Sequence, residues 1–412
     1  MSSFSILLGR QPILDRDQHL VGHHLLLRQA LSPATNPGNQ LSTLASTLQH
    51  VAERSMEKMV GHTLSLVDVD TSVLLSDFVL FLPNKNMVLM LAADTAVSAP
   101  ILDRMLELRQ AGFRFCLETR PDEIGERLAL LPLVDILRVD IRILDQAGMT
   151  QFLTELKTTR KKLLVTGVAD VTQFERSLHA GFDYYDGQFF TVPVIKPDKK
   201  ISPAEILIMQ ILALINSDAD NAEIESAIKK DAFIALNLLN MVNSSAAGMS
   251  QRIGSLKQAL QIIGRTQLQC WLQILLYKKP GNTAVVSPLL LMASMRGKML
   301  ELMARKLKPN NRNAADLAFM VGIMSLMDAL FGLPMEEILA KITVFNEVSH
   351  ALVGRQGFYG DLLKIVEYSE KIDSSAPLLI PALRQMPLSL EDFYDLQLDA
   401  FEWVDQIVHS GN

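Results

Sequence analysis

Asp68, Glu118 and Asp140 each stand near the end of a short apolar run, and His24 stands in another. Carboxylates brought together from separate strands can hold a hard divalent cation, which takes oxygen ligands, or act as acid and base. A neutral imidazole is a poor substitute for oxygen at such a cation. A remodelled site of His24, Asp68, Glu118 and Asp140 is one reading; acids that are merely solvated or paired at strand ends are the other.

The elements that must position these residues begin with a hairpin. Residues 9–28, GRQPILDRDQHLVGHHLLLR, place two apolar runs around an Asp-Arg-Asp-Gln turn. Apolar runs then recur at 64–70, 87–91, 113–118, 135–140, 163–168 and 187–190, and helical spacing fills 41–56, 98–111, 149–160 and 171–180. Strand and helix alternate, and the strands lack internal polar alternation, which is the pattern of a parallel sheet covered by helices. A glycine-rich phosphate loop after the first strand would favour an open sheet, and none is present. The expected fold is a TIM-type (β/α) barrel, whose strand ends converge on one face and would bring the acids together there.

Residues 191–205, TVPVIKPDKKISPAE, have the composition of an exposed connector and set the expected boundary between domains 1–198 and 199–412. Beyond it the spacing is helical throughout, with segments at 204–216, 221–229, 231–243, 256–263, 265–277, 288–306, 314–331, 335–343, 346–353, 360–371 and 390–408. Ser255 and Gln258 form a capping box, and Gly264 closes that helix. Pro334 opens a helix with Glu336 and Glu337 in its first turn. Methionines at 292, 295, 299, 303, 320, 324 and 327 are read as core filling.

Composition narrows the function. A chain of 412 residues, 49% hydrophobic and with a formal charge of −6, holds large cores but has no basic stripe for nucleic acid. Cys116 and Cys270 lie in apolar runs of different domains and are read as reduced core residues of a cytoplasmic protein. The start, MSSFSILLGR, reads as a first strand rather than a signal peptide. The apolar stretches 284–295 and 317–333 are interrupted by Pro288 and Asp328 and are read as buried helices, not membrane spans.

The segments RQPI at 10–13, HLLLR at 24–28, DILRVD at 135–140, TGVAD at 166–170 and DGQFF at 186–190 resemble the successive motifs of the EAL domain, the barrel that hydrolyses cyclic di-GMP. The resemblance implies a site in which strand-end ligands hold two divalent metals. Carried over, the Glu of the naming motif falls on His24, the Asn of the next strand on Asp68, and the Glu after it near Met90. The Asp-Asp pair falls on Glu118 and Thr119, a later Glu on Thr166, and the final Gln on Asp186. The departures imply that no metal is held and that no residue is catalytic. Gln11 and Arg28 match positions that contact nucleotide in that family, and an Arg fork suits phosphate oxygens.

Residues 239–248, 253–264 and 319–334 resemble the HDOD domain, a helical relative of the HD phosphohydrolases. Where a hydrolase reads Gly-Leu-Leu-His-Asp, this chain has Gly322, Ile323, Met324, Ser325 and Leu326. Beyond residue 200 the only histidines are His350 and His409, too few for a His-rich metal site. The pairing implies a bacterial EAL-HDOD signalling protein without catalysis or cofactor, acting on motility or biofilm through a protein partner of its helical domain, with a homodimer as a further possibility. Its alternatives are a cyclic di-GMP phosphodiesterase with an altered metal site and a cyclic di-GMP receptor.

Overall fold

The computed structural model describes residues 6–29, 58–61, 63–120, 125, 129–143, 146–195, 201–217, 219–245, 253–277, 287–342 and 344–410. The expected helix at 41–56, the lysine-rich part of the connector at 196–200 and the side chain of Cys270 lie outside the described residues.

The chain divides into two compact units. The first comprises residues 1–192, 284–288 and 364–412; the second comprises 193–283 and 289–363. A single cut after residue 198 therefore does not describe the packing: the last 49 residues return to the barrel.

In the first unit, β1 (Ile6–Asp15) and β2 (Leu20–Gln29) form the expected antiparallel hairpin. β3 (Leu64–Val69), β4 (Met87–Leu91), β5 (Arg114–Glu118), β6 (Ile136–Asp140), β7 (Lys162–Thr166) and β8 (Tyr184–Asp186) follow in parallel, and β8 closes antiparallel onto β1. The result is a closed barrel in sequential strand order. Around it run α1 (Thr71–Leu75), α2 (Ala99–Gln110), α3 (Gln146–Lys157) and α4 (Val171–Ala180). Because side chains alternate along a strand, one set faces inward. Its lower layer is apolar: Ile13, Leu66, Val88, Cys116, Ile136 and Leu164 fill the interior, and Met90 tops them.

The last strand corrects the expectation. GQFF at 187–190 is not a strand; β8 is the preceding Tyr184–Asp186, and Phe189–Thr191 form a tight helical turn. The two phenylalanines are buried against helix α4, where Phe174 stacks on Phe189 at 4.5 Å, so their apolarity serves packing behind the barrel rather than pairing within it.

A three-residue β8 pairs only with Ile13–Asp15 and leaves the earlier part of β1 without that neighbour. The C-terminal helices α15 (Ile372–Gln385) and α16 (Leu390–Ser410) pack there. Gln397 donates its side-chain amide to the Leu8 carbonyl at 3.0 Å, an acceptor a longer β8 could have met. Arg10 meets both carboxylate oxygens of Asp405 at 3.1 Å, and its guanidinium lies 5.0 Å from the Phe401 ring centre. Lys58 pairs with Asp399 and Glu402.

The second unit is helical: α5 (Pro203–Asn216), α6 (Asn221–Ile228), α7 (Ala232–Ser245), α8 (Leu256–Leu276), α9 (Pro288–Leu307), α10 (Arg312–Met324), α11 (Met327–Phe331), α12 (Met335–Leu339), α13 (Asn346–Gly354) and α14 (Gly357–Glu370), the last running into the first unit. The Ser255 hydroxyl accepts from the Gln258 amide as expected, and Gly264, at φ 70° and ψ 163°, breaks α8 into the two expected helices. That φ is open to glycine and strained for other residues. By length and composition, Asn313–Phe331 could cross a membrane, contrary to the expectation that the interrupted stretch is too short. Its window is 78% buried within the protein, the condition of a core helix. Met292, Met299, Met303, Met320, Met324 and Met327 are buried, in keeping with core filling.

Since α15 and α16 complete the wall beside β1, a chain ending at residue 363 should lose the barrel's cooperative thermal transition or melt well below the full chain. Circular dichroism melts of both chains check this; equal midpoints would show that the barrel is whole without them.

Candidate functional site

Above the apolar layer, the next inward position on each strand is polar or bulky: His24 on β2, Asp68 on β3, Met90 on β4, Glu118 on β5, Arg138 on β6, Thr166 on β7 and Asp186 on β8. A cleft of about 550 Å³ opens over His24, Asp68, Met90, Glu118 and Arg138, lined also by Arg28, Asp70, Ser72, Asp94, Thr95 and Asp373.

His24, only 4% exposed, is held on both sides. Its Nε2 lies 3.1 Å from Asp68 Oδ1 and its Nδ1 3.4 Å from Asp186 Oδ2. Burial works against the imidazolium, but Asp68 and Asp186 outweigh it and raise the His24 pKa to about 9. Asp68 responds in the opposite sense: burial opposes its charge, yet His24, Arg138 and Arg28 hold it down at about 2. Thr166 donates to the same Asp186 oxygen at 3.1 Å.

Arg138 reaches into this layer with one guanidinium nitrogen 3.1 Å from the Met90 sulfur and 3.7 Å from Glu118, and the other donating to Thr166 at 3.2 Å. Burial disfavours its charge; Asp186, Asp68 and Glu118 more than compensate and raise its pKa.

These donors do not fit a pair of divalent metals. Two of the carried-over ligand positions, Met90 and Thr166, are in contact with a guanidinium, and a third, His24, lies between two carboxylates that favour its protonated form. Asp68 and Asp186 neutralise the imidazolium instead of a metal. A dication placed here would meet the Arg138 guanidinium.

Of the four residues in the remodelled-site reading, His24, Asp68 and Glu118 line the cleft together. Asp140 does not; it is bound by Arg142 through 2.9 and 2.6 Å contacts. Arg28 lines the cleft, 3.6 Å from Asp68. Gln11 sits opposite His24 in the β1–β2 register and is not among the lining residues.

Arg138 and Asp373 are the functional residues that the sequence reading did not single out. A signal for Arg138 was available: in DILRVD it shares a face with Ile136, so an arginine there had to point into the barrel. Asp373 offered none, because only the return of the chain to the barrel brings it to the cleft.

In the helical unit, Ser325, carried over from the hydrolase histidine, accepts from the buried Arg296 at 3.0 Å and donates to the Gly322 carbonyl at 2.7 Å. The Tyr277 hydroxyl donates to the Ile323 carbonyl at 2.6 Å.

Comparison with known proteins bears on both units. Residues 202–337 match the model of the HDOD domain. The helical half carries an HDOD domain. Two curated proteins align over 98% of this chain at 23% identity: the uncharacterized protein YuxH of Bacillus subtilis, over 99% of its length, and the cyclic di-GMP phosphodiesterase CdgJ of Vibrio cholerae, over 93%. Solved structures similar to the barrel include an EAL domain protein from Listeria monocytogenes, at 18% identity over 45% of this chain and 87% of that one, with a TM-score of 0.38. Klebsiella pneumoniae BlrP1 with manganese and cyclic di-GMP matches at 14% identity over 46% of this chain and 56% of that one, with a TM-score of 0.38. An eight-stranded barrel followed by the HDOD domain is the order expected from the motifs.

The charge balance gives a pH dependence with two limits. His24 has its pKa raised from 6.5 to about 9, so its contribution to stability is complete below 6.5 and is lost as pH rises through 9. Asp68 has its pKa lowered from 3.8 to about 2, so its contribution is complete above 3.8 and is lost as pH falls through 2. Urea unfolding should show stability falling between pH 7 and 9.5 in the wild type more steeply than in His24→Gln. His24→Ala, which strands the buried Asp186, should cost about 3 kcal/mol at neutral pH.

Proposed function

We propose that this protein is a non-catalytic regulator in cyclic di-GMP-linked signalling, acting in the bacterial cytoplasm on motility or biofilm formation. Its output is contact with a protein partner through the HDOD domain, from a monomer or a homodimer, and it needs no cofactor. The observation that carries this reading is the Arg138 guanidinium set against Met90, Thr166 and Glu118. The resemblance places metal ligands at these strand ends, and here an internal cation takes up their lone pairs. Hydrolysis through two metals needs those ligands free to hold and space the ions.

The lining charges support the same reading. Asp68, Asp70, Asp94, Glu118 and Asp373 face three cations, His24, Arg28 and Arg138, each already ion-paired. A polyanion entering the resting cleft meets more repulsion than free positive charge. The similarity to CdgJ over nearly the whole chain favours a second reading, a phosphodiesterase with an altered site. Arg28 at the rim favours a third, a receptor that binds without turnover.

Purified protein should not convert cyclic di-GMP to its linear form in Mg²⁺ or Mn²⁺, as read by chromatography of the nucleotide. His24→Glu should not restore turnover, since Arg138, Met90 and Thr166 remain and groups that act as a unit are not repaired singly. Wild-type turnover that disappears in Glu118→Ala would refute this reading and favour the altered enzyme.

A further inference from the structure

Segment 370–373, which leads into α15, touches the barrel rim at three points. Gln188, just after β8, donates its amide to the Glu370 carbonyl at 2.9 Å. Ile372 is 1% exposed and packs on Gly9 of β1, where an added Cβ would stand 3.0 Å from its methyl. Asp373, in the first turn of α15, reaches Arg28 of β2.

The Arg28 contact has two sides. On the strand side, Nη1 donates to the Leu27 carbonyl at 3.0 Å and lies 3.6 Å from Asp68 Oδ2. On the other side, Nε and Nη2 both meet Asp373 Oδ1, at 3.0 and 2.8 Å. That edge is the fork with which a guanidinium also takes a phosphate oxygen. The strand-side contacts would keep the guanidinium in place if the carboxylate left. The pair is half open to water, with side chains 34% and 55% exposed, and water weakens such a pair enough for a competing anion to displace it.

We propose that Asp373 is a resident stand-in for a phosphate: it occupies the Arg28 fork, and a phosphodiester ligand of the cleft binds there only by displacing it. Ligand binding and the seating of the start of α15 on the barrel are then antagonistic. Because Asp373 is next to the buried Ile372, its displacement loosens the hold of that turn on Gly9. Occupancy of the cleft is thereby passed to the C-terminal helices.

The inference rests on the reading of the cleft as linked to cyclic di-GMP, and binding is measured apart from turnover so that the two fail separately. The probe is cyclic di-GMP, titrated calorimetrically into the full chain in EDTA. Asp373→Asn, which keeps the size of the side chain, should tighten binding about three- to tenfold over the wild type. Arg28→Gln and the double variant should bind no more tightly than the wild type. Asp94→Asn removes another carboxylate from the same cleft and should change affinity less than about twofold, the share due to general repulsion. Hydrogen exchange across 372–376 of the wild type should rise when the nucleotide binds. The proposal is overturned if Asp373→Asn binds no better than the wild type, if Asp94→Asn matches it, or if the gain survives Arg28→Gln. Turnover in Mg²⁺ with these binding results intact would sink the non-catalytic reading alone.

Discussion

Arg138 sets the constraint on which the barrel's mouth depends. A guanidinium mostly withdrawn from water must be met by acceptors and opposite charge, since leaving either unmet costs several kcal/mol. Glu118, Thr166 and the Met90 sulfur supply the contacts, while Asp68 and Asp186 add charge and hold His24 as a second cation. Three carboxylates thus stand against two cations, and Arg138 Nε and Asp186 Oδ1 stay buried without a hydrogen-bond partner. Each of these acids has a cation of the chain beside it, so the interactions that stabilise this mouth compete with a metal for the same carboxylates.

The upper wall follows from strand length. β8 meets only three residues of β1, and the groups that a longer strand would have paired are met by a helix from the end of the chain: Gln397 on the Leu8 carbonyl, and Asp405 on Arg10. Buried backbone acceptors rarely go without a donor, so some element had to come here. The cover is supplied from 389 residues away in sequence and brings Asp373 with it. Barrel and C-terminal helices are therefore one folding unit, although the HDOD domain lies between them in sequence.

Much of this was legible in the sequence, where local physics decides. The hairpin and the parallel strands followed from apolar runs and their order, and His24, Asp68 and Glu118, singled out in the sequence, line one cleft. What was missed is non-local. Phe189 and Phe190 were read as strand because apolarity alone does not say whether a residue pairs or packs. Helix α15 was passed over because Pro377 and Pro381 lie inside it, and proline in a helix interior removes a donor and crowds the preceding turn. Tertiary packing overrides that cost here: Ile372, Leu379 and Leu383 are buried within about 1% exposure, giving the helix an apolar face that the prolines do not interrupt.

The two units share a feature that neither fold requires. In the barrel, Thr166 stands where the resemblance places a metal-binding Glu, and it accepts from Arg138. In the HDOD domain, Ser325 stands where it places a hydrolase His, and it accepts from Arg296. In both cases a short hydroxyl receives a hydrogen bond from an arginine. The substitution has a physical logic. Acceptors gathered in a partly buried space favour positive charge, and an arginine supplies it with directional donors and without dependence on ion concentration. On the non-catalytic reading proposed above, two such contacts hold the centre of each unit with charge from the chain itself and leave signalling to the surfaces around it.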